Sequence, residues 1–362
     1  MSGARVAAVV AAIAIVVALG YFLSRGLHPP APASADGGAH GGAGSGGTSG
    51  ARDLGATHTL PGRRDGGTAP HARVILSAPW GAGAGQLGHR NDPESLTEGP
   101  MSFFVDGRGA VVLDNVNRRV ARFDAHGQPL PPIALDTDAA QDLARGKDRI
   151  AVLDRLHDKR VTVYDESGAA RATLPLAAAG LANGAAATGI FADGDGALYV
   201  EREHGAWIRL ADADGKPDAA RTSAPGRPTR TGKFVAAAIV DRAAGRARVA
   251  LNDDIRGDLV WQTTVDFGAP LMFLALLDGD AAGRIYVGAH TGHESAQPPY
   301  AIADETLVII ALTPDGNEAG RITLPAPPPR EESFRDLYVG DDGTIYWMRR
   351  TAAGVVVEAY RI

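Results

Sequence analysis

Hydrophobic and polar residues alternate in short runs through the central part of the chain, and turn residues separate these runs. The first clear unit has apolar runs at 103–105, 111–113 and 120–123, with aspartate, glycine and asparagine between them. β-Branched and aromatic side chains are frequent in the runs and favour extended backbone. Glycine and aspartate between the runs are typical of tight turns. The pattern predicts a small antiparallel meander and not a helix.

The same pattern returns along the rest of the chain at intervals of about 40–60 residues, which is the period of a propeller blade. Copies lie at 150–165, 190–200, 276–288 and 337–347, and a degraded copy lies at 234–252. Repeats of this length with several strands each are typical of β-propellers. We therefore predict an all-β fold for residues 72–362, a β-propeller of about six four-stranded blades.

The two ends of this region predict how the ring closes. The last unit has no fourth strand of its own, because the chain ends with the apolar run 355–362. The segment 72–78, which precedes the first unit, resembles a fourth strand that belongs to no unit. We expect 72–78 to pair with 355–362, which would cover the last free edge of the sheets.

The start of the chain differs from the repeats. Residues 6–23 are almost entirely apolar. As a helix they would extend about 27 Å, close to the ~30 Å hydrocarbon core of a bilayer. This predicts a short cytoplasmic N-terminus at 1–5 and a transmembrane signal anchor at 6–23, with a cleaved signal peptide as the alternative.

Residues 24–71 are rich in glycine, proline and alanine and contain few large apolar side chains, which predicts a disordered linker. Either interpretation of the N-terminal segment places the repeats outside the cytoplasm. The expected location is therefore the periplasm or cell surface, tethered to the membrane through the N-terminal helix, or secreted if that segment is cleaved.

Composition narrows the classes of function. The 362 residues include no cysteine, which excludes disulfides, thiolate nucleophiles and cysteine-bound zinc. The net charge of −6, without a basic patch, argues against nucleic acid as a partner. Serine does not occur in a Gly-x-Ser-x-Gly pattern, so the nucleophile elbow of α/β-hydrolases is missing.

The first unit resembles the NHL repeat, a propeller-blade motif with Asp-x-x-Gly before an apolar strand and Asp-x-x-Asn-x-Arg-Val-x-x-Phe after it. The matching residues are Asp106, Gly109, Asp114, Asn117, Arg119, Val120 and Phe123, and the second unit matches at Asp154 and Arg160. The resemblance implies a propeller fold. NHL-type propellers include binding scaffolds, sensor domains and metal-dependent lyases and hydrolases, so the fold does not imply one function. We expect the polar repeat residues to connect adjacent blades.

Aspartate and glycine recur together at 193–196, 278–280 and 341–343, and these fragments resemble parts of calcium-binding loops. A calcium loop needs further oxygen ligands and a distal glutamate at fixed spacing, which do not follow here. We therefore interpret the three fragments as turns.

His290 and His293 form the one local histidine pair, and Glu294 follows them. Two imidazoles and a carboxylate are possible zinc ligands. Solvated loop histidines are the simpler interpretation, because no third histidine has matching spacing. The predicted loop 288–306, which also contains Tyr300, is our first choice for contact with a partner, since function concentrates on loops at one face of a rigid scaffold.

The sequence assigns no catalytic residue and no cofactor. The first hypothesis is a membrane-tethered extracytoplasmic propeller that acts as a binding or scaffold module for a protein or an envelope polymer. The alternative is a metal-dependent hydrolase or lyase with ligands around the central channel. The inner strands offer mostly apolar residues at 101–103, 190–191 and 273–274, which favours the first hypothesis.

Overall fold

Six antiparallel sheets surround a central axis in the computed structural model, which describes residues 57–59, 72–91, 97–178, 180–298, 300–325 and 333–362. Within each sheet four strands lie in meander order, and one sheet has a fifth, parallel strand at its outer edge. The innermost strands of neighbouring sheets contact each other in a closed cycle. The fold is therefore a six-bladed β-propeller, as the repeat predicts.

Strands β1 (Thr57–Thr59) and β2 (Arg73–Pro79) precede the first blade. Blade 1 contains β3 (Ser102–Asp106), β4 (Gly109–Asp114), β5 (Arg119–Asp124) and β6 (Pro129–Ala134). Blade 2 contains β7 (Asp142–Arg145), β8 (Arg149–Asp154), β9 (Arg160–Asp165) and β10 (Ala170–Pro175). Blade 3 contains β11 (Ala187–Ala192), β12 (Leu198–Arg202), β13 (Ala206–Ala211) and β14 (Ser223–Ala224), preceded by a short 3₁₀ helix at Gly184–Ala186.

Blade 4 corresponds to the degraded copy and contains β15 (Arg227–Pro228), β16 (Phe234–Asp241), β17 (Arg246–Asn252) and β18 (Leu259–Asp266). Blade 5 has the longest strands, β19 (Leu271–Gly279), β20 (Ile285–Glu294), β21 (Ile302–Leu312) and β22 (Glu318–Pro325). Blade 6 contains β23 (Leu337–Val339), β24 (Ile345–Thr351) and β25 (Gly354–Tyr360), and its fourth strand is β2.

The ring closes through the pairing of β2 with β25. The two strands are antiparallel, with Ser77 opposite Val356 and Pro79 opposite Gly354. An early segment of the chain thus completes the blade that the last segment begins. The predicted pairing of 72–78 with 355–362 is confirmed, with both strand boundaries shifted by one or two residues.

The pairing of β1 corrects the linker prediction for 24–71 at three residues. Thr57–Thr59 lies parallel to β18, with Thr57 opposite Gln262, and extends blade 4 to five strands. Such pairing is possible because the outer strand of a blade has unpaired backbone groups along its free edge. The other residues of 24–71, like the predicted anchor at 6–23 and the N-terminus 1–5, lie outside the described part of the chain. Within the described part, no helix has the length and apolar character to cross a membrane.

Apolar side chains fill the space between each pair of neighbouring blades. Six buried clusters occupy the six interfaces; one of them joins blade 6 to blade 1 through Leu76, Phe103 and Val357. In the outer strand β18 the buried positions alternate, at Trp261, Thr263 and Val265. The second strands of blades 1 and 2, β4 and β8, are buried on both faces, which explains their nearly continuous apolar runs.

Replacing Leu76 by alanine should destabilise the whole ring, because Leu76 is buried in the cluster that seals blade 6 against blade 1. We expect the free energy of unfolding in urea to fall by about 2–4 kcal/mol in a single transition. The control is Val74→Ala in the same strand, where the side chain is 55% exposed and the expected change is below about 0.5 kcal/mol. Equal effects of the two substitutions would contradict the proposed role of β2 in closure.

Gly109 illustrates why the repeat contains glycine at this position. Its φ angle is +129°, and a Cβ atom placed there would lie 2.0 Å from the carbonyl oxygen of Phe123. We expect Gly109→Ala to lower the free energy of unfolding by about 1–3 kcal/mol or more. Gly107→Ala, two residues away, is the control, since a Cβ atom at Gly107 has open space around it. Thermal unfolding that fails to separate the two variants would refute this account of the motif.

Candidate functional site at the mouth of the central channel

The innermost strands all start at the same end of the ring, because every blade has the same strand order. A cavity of about 1160 Å³ lies at this end, and we call it the mouth cavity. Its lining includes side chains at or near the starts of innermost strands, together with aromatic residues from the adjoining connections. The residues that concern us are Trp80, His89, Asp142, Thr188, Glu201, Trp207, Arg227, Phe273, His290, Phe334, Arg335, Trp347, Arg349 and Arg350.

Asp142 lies at the base of the mouth cavity and connects four blades. Its Oδ1 accepts a hydrogen bond of 2.6 Å from Ser102 Oγ of blade 1. Its Oδ2 accepts hydrogen bonds from the Ile190 N–H of blade 3, at 2.9 Å, and from Arg335 Nη2 next to blade 6, at 2.8 Å. Arg335 also donates to the carbonyl of Ile190. The carboxylate is fully buried, so these partners replace the water that it loses on folding.

Asp278 forms a second charged centre farther along the axis. Its carboxylate accepts hydrogen bonds from Arg230 Nη1 at 3.1 Å and from the N–H groups of Gly279 and Val339. Burial alone would raise the pKa of Asp278, but Arg227, Arg230 and these N–H groups together hold its pKa below the usual value. Asp278 is therefore an ionised, buried carboxylate at neutral pH.

Arg230 binds Asp278 and several groups of the neighbouring blades. Its guanidinium, only 8% exposed, also donates to the carbonyls of Gly279 and Val339 and to the Tyr338 hydroxyl, and it pairs with Asp341. Burial opposes the charge of Arg230, but Asp278 and Tyr338 outweigh this effect and raise its pKa. The two buried carboxylates, Asp142 and Asp278, and their arginine partners thus form two polar clusters among the innermost strands.

This charged axis corrects the expectation of an apolar channel. The expectation rested on the apolar segments 101–103, 190–191 and 273–274. The charged groups lie elsewhere: Asp142 and Arg227 are the first residues of β7 and β15, Asp278 is the penultimate residue of β19, and Arg335 lies just before β23. Comparison of the repeats could have found Asp142, since it occupies the strand position that Ser102 has in blade 1. Asp278 had been interpreted as a turn residue, but it is buried and paired.

Aromatic rings form much of the remaining lining. Trp80 stacks on His89 with ring centroids 4.4 Å apart, and its Nε1 donates to the carbonyl of Thr351. Phe273 stacks on His290, also at 4.4 Å. The guanidinium of Arg349 lies over Trp347, and that of Arg155 lies over Phe334. Trp347 is 2% exposed and Trp207 6%, so the partly exposed rings of the lining are Trp80, Phe273 and Phe334.

The residues of the predicted contact loop are separated by the structure. The loop is shorter than 288–306, because β20 extends to Glu294 and β21 begins at Ile302, with Glu294 opposite Ile302. His290 lies in β20, is 6% exposed, lines the mouth cavity and has its Nδ1 3.2 Å from Glu305 Oε1. His293, Glu294 and Tyr300 are exposed and do not line the mouth cavity.

His290 and His293 are not part of a metal-ligand cluster in the described part of the chain. The group of three potential ligands found there is Asp154, His157 and Asp158, in the turn between β8 and β9. Asp154 accepts hydrogen bonds from the backbone N–H of His157 and from the Thr137 hydroxyl. Asp158 is paired with Arg160, which also pairs with Asp136. The geometry is that of a stabilised turn.

The NHL-like residues of blade 1 hold the connection that leads into that blade. Asp114 accepts hydrogen bonds from the Gly88 N–H, from Asn117 Nδ2 and from Arg119 Nε. Arg119 in turn donates to the carbonyls of Ala82, Gly83 and Gln86, and Asn117 donates to that of Gly81. Segment 81–88 joins blade 6 to blade 1, so these side chains fix its position beside the mouth cavity. Asp106 lies at the opposite end of the blade and binds Arg108 and Arg145.

The aspartates of the other two predicted turn fragments do stabilise turns. Asp193 Oδ1 accepts hydrogen bonds from the N–H groups of Asp195, Gly196 and Ala197. Burial nevertheless raises the pKa of Asp193 above its usual value. Asp342 Oδ1 accepts from the N–H of Thr344.

Comparison with known proteins assigns neither a family nor a function to this chain. No model of a protein family matches the sequence, so the resemblance to NHL repeats has no support from that comparison. No curated protein is similar to the chain in sequence. One solved structure similar to it is hydrazine synthase from Kuenenia stuttgartiensis, at 15% identity and a TM-score of 0.46, covering 68% of this chain and 72% of that one. This likeness carries no information about activity.

Asp278→Asn should cost about 3–5 kcal/mol of unfolding free energy at neutral pH, because Arg227 and Arg230 would lose a buried counter-charge. Asp341→Asn is the matched control. Asp341 also pairs with Arg230 but is 73% exposed, and its removal should cost at most about 1 kcal/mol.

The same pair tests the pH dependence. The pKa of Asp278 is lowered in the folded protein, so its stabilising contribution is present above the unfolded value of about 3.9 and is lost as the pH falls below it. The difference in unfolding free energy between the wild type and Asp278→Asn should therefore shrink below about pH 4. A difference that stays constant down to the lowest accessible pH would contradict a lowered pKa.

Proposed function

We propose that this propeller is an extracytoplasmic binding module that holds part of an envelope polymer, a glycan, in the mouth cavity. The observation that carries the proposal is the cavity itself: about 1160 Å³ at the end of a rigid ring, lined by aromatic rings and charged side chains. Ligand sites are typically concave, with apolar surfaces and a few placed polar groups.

The shape favours a chain end or oligosaccharide over a folded protein. Trp80 and Phe273 line the cavity and are partly exposed, and aromatic faces of this kind pack against the C–H faces of sugar rings. Protein–protein contacts use broader surfaces of about 800 Å² per partner.

The location is also part of the proposal. The apolar run at 6–23 has the length of a membrane anchor or the core of a signal peptide. Either would place the propeller on the side of the membrane where envelope polymers occur. The resemblance of blade 1 to NHL repeats agrees with a scaffold role, since propellers with that motif include binding scaffolds.

A metal-dependent hydrolase or lyase is less well supported. The buried carboxylates nearest the axis, Asp142 and Asp278, are each engaged by arginine and by backbone N–H groups. A cation bound at either carboxylate would have to displace or face these guanidinium groups. We therefore do not propose a catalytic role for the two carboxylates.

Tryptophan fluorescence provides the test, because three of the four tryptophans, Trp80, Trp207 and Trp347, line the mouth cavity. In a panel of neutral and acidic oligosaccharides, we expect at least one to change the tryptophan emission in a saturable way. Phe273→Ala should weaken such binding at least about tenfold, since it removes an aromatic face worth about 1.4 kcal/mol or more.

Tyr300→Ala is the matched control for Phe273→Ala. Tyr300 is 53% exposed in the outer loop and does not line the cavity. If a partner binds instead through that loop, Tyr300→Ala will weaken binding and Phe273→Ala will not. That result would reject the mouth cavity as the binding site and favour a protein partner.

A further inference from the structure

Arg227 differs from the other arginines of the mouth cavity. It is the first residue of β15, and its guanidinium lies over Phe191, 4.5 Å from the ring centroid, and beside Trp207, at 6.0 Å. Two aromatic rings therefore fix the plane of the group. Its side chain is 16% exposed, and the exposure is toward the cavity that it lines.

The hydrogen-bond donors of Arg227 are not used by the described part of the chain. The nearest carboxylate oxygen, Asp278 Oδ2, is 3.6 Å from Nη2, beyond hydrogen-bond distance, and Nε is buried without a partner. Burial lowers the pKa of Arg227, and the nearby charges of Arg335 and Arg230 act in the same direction, against Asp278. The positive charge of the Arg227 guanidinium is therefore only partly balanced by the nearby carboxylate of Asp278.

The other arginines that line the cavity have partners. Arg335 Nη2 donates to Asp142 and to the carbonyl of Ile190. Arg349 Nη1 donates to both carboxylate oxygens of Glu358, and Arg350 Nη2 donates to the carbonyl of Pro100. Arg335 Nη1 and Arg349 Nε are also buried without a partner, but Arg227 is the one of these four guanidinium groups that makes no hydrogen bond to a described residue.

The groups beside Arg227 indicate what kind of anion fits. Glu201 lines the same part of the cavity, and its Oε2 accepts a hydrogen bond of 3.0 Å from the Thr188 hydroxyl. The carboxylate of Glu201 adds a negative charge near Arg227 to that of Asp278, and this disfavours the binding of a doubly charged group such as phosphate. The carboxylate of Glu201 also accepts hydrogen bonds, which suits the hydroxyl groups of a sugar.

We propose that Arg227 binds the carboxylate of a sugar acid in the mouth cavity, through the paired N–H donors of its guanidinium. This inference rests on the proposed function and specifies its ligand class: a uronic-acid-containing glycan. The planar fork of arginine matches a carboxylate in a two-point contact, and stacking between aromatic rings orients that fork in advance. The Glu201 carboxylate accepts a hydrogen bond from a ligand hydroxyl, and its negative charge limits the site to singly charged anions.

The test compares two trisaccharides of the same linkage, trigalacturonic acid and its fully methyl-esterified form, by calorimetry and tryptophan fluorescence. We expect the acid to bind at least about tenfold more tightly than the ester. Arg227→Gln should remove this preference, so that acid and ester bind about equally, and binding of the ester shows that the variant folds. Arg227→Lys should keep only part of the preference, since it retains the charge and loses the fork.

Arg256→Gln is the charge-matched control, because Arg256 is 79% exposed on the surface and does not line the cavity. A preference for the acid that survives in Arg227→Gln, or equal binding of acid and ester by the wild type, would overturn the role of Arg227 and leave the cavity as a glycan site. Displacement of the acid by inorganic phosphate at equal concentration would overturn the selectivity for a carboxylate. If neither trisaccharide binds at millimolar concentration, and Phe273→Ala does not weaken the binding of any other oligosaccharide, the proposed function fails as well.

Discussion

Closure of the ring by the pairing of β2 with β25 is the constraint on which the rest of the structure depends. Each blade buries apolar side chains against both neighbours, so an open ring would expose the clusters on two blades at once. Closure also sets the distance between the innermost strands, and this distance determines whether groups from different blades can reach one another across the axis. The mouth cavity exists because the ring is closed at a fixed width.

The axis shows how the protein accommodates charge in that closed space. Removing a carboxylate or guanidinium from water costs several kcal/mol unless other groups replace the lost hydration. Asp142 meets this requirement with a hydroxyl, two backbone N–H groups and an arginine, and Asp278 with an arginine and two N–H groups. These bonds join residues from all six blades and fix the inner strands in register. Arg227 lies beside this network, with Nη2 3.6 Å from Asp278 Oδ2.

The division between residues that stabilise connections and residues that line the mouth cavity follows the geometry of the blades. Side chains at the NHL-like positions of blade 1 act on backbone carbonyls and turns, so they stabilise connections. Side chains at the starts of the innermost strands face the mouth cavity, where aromatic rings and arginines lie close together. Blade 5 links the two regions, because its long hairpin carries His290 into the cavity and His293 to the outer surface.

The sequence by itself determined the repeat, the blade topology, the turn glycine at Gly109 and the segments that close the ring. These features depend on local patterns of alternating apolar residues and turn residues, which can be read within a few tens of positions. The tertiary structure alone decided which polar residues meet at the axis. Asp142 is separated by 40 residues from Ser102 and by 193 from Arg335. Contacts over such separations depend on the curvature and closure of the ring, because only the assembled blades bring the starts of their inner strands to one point.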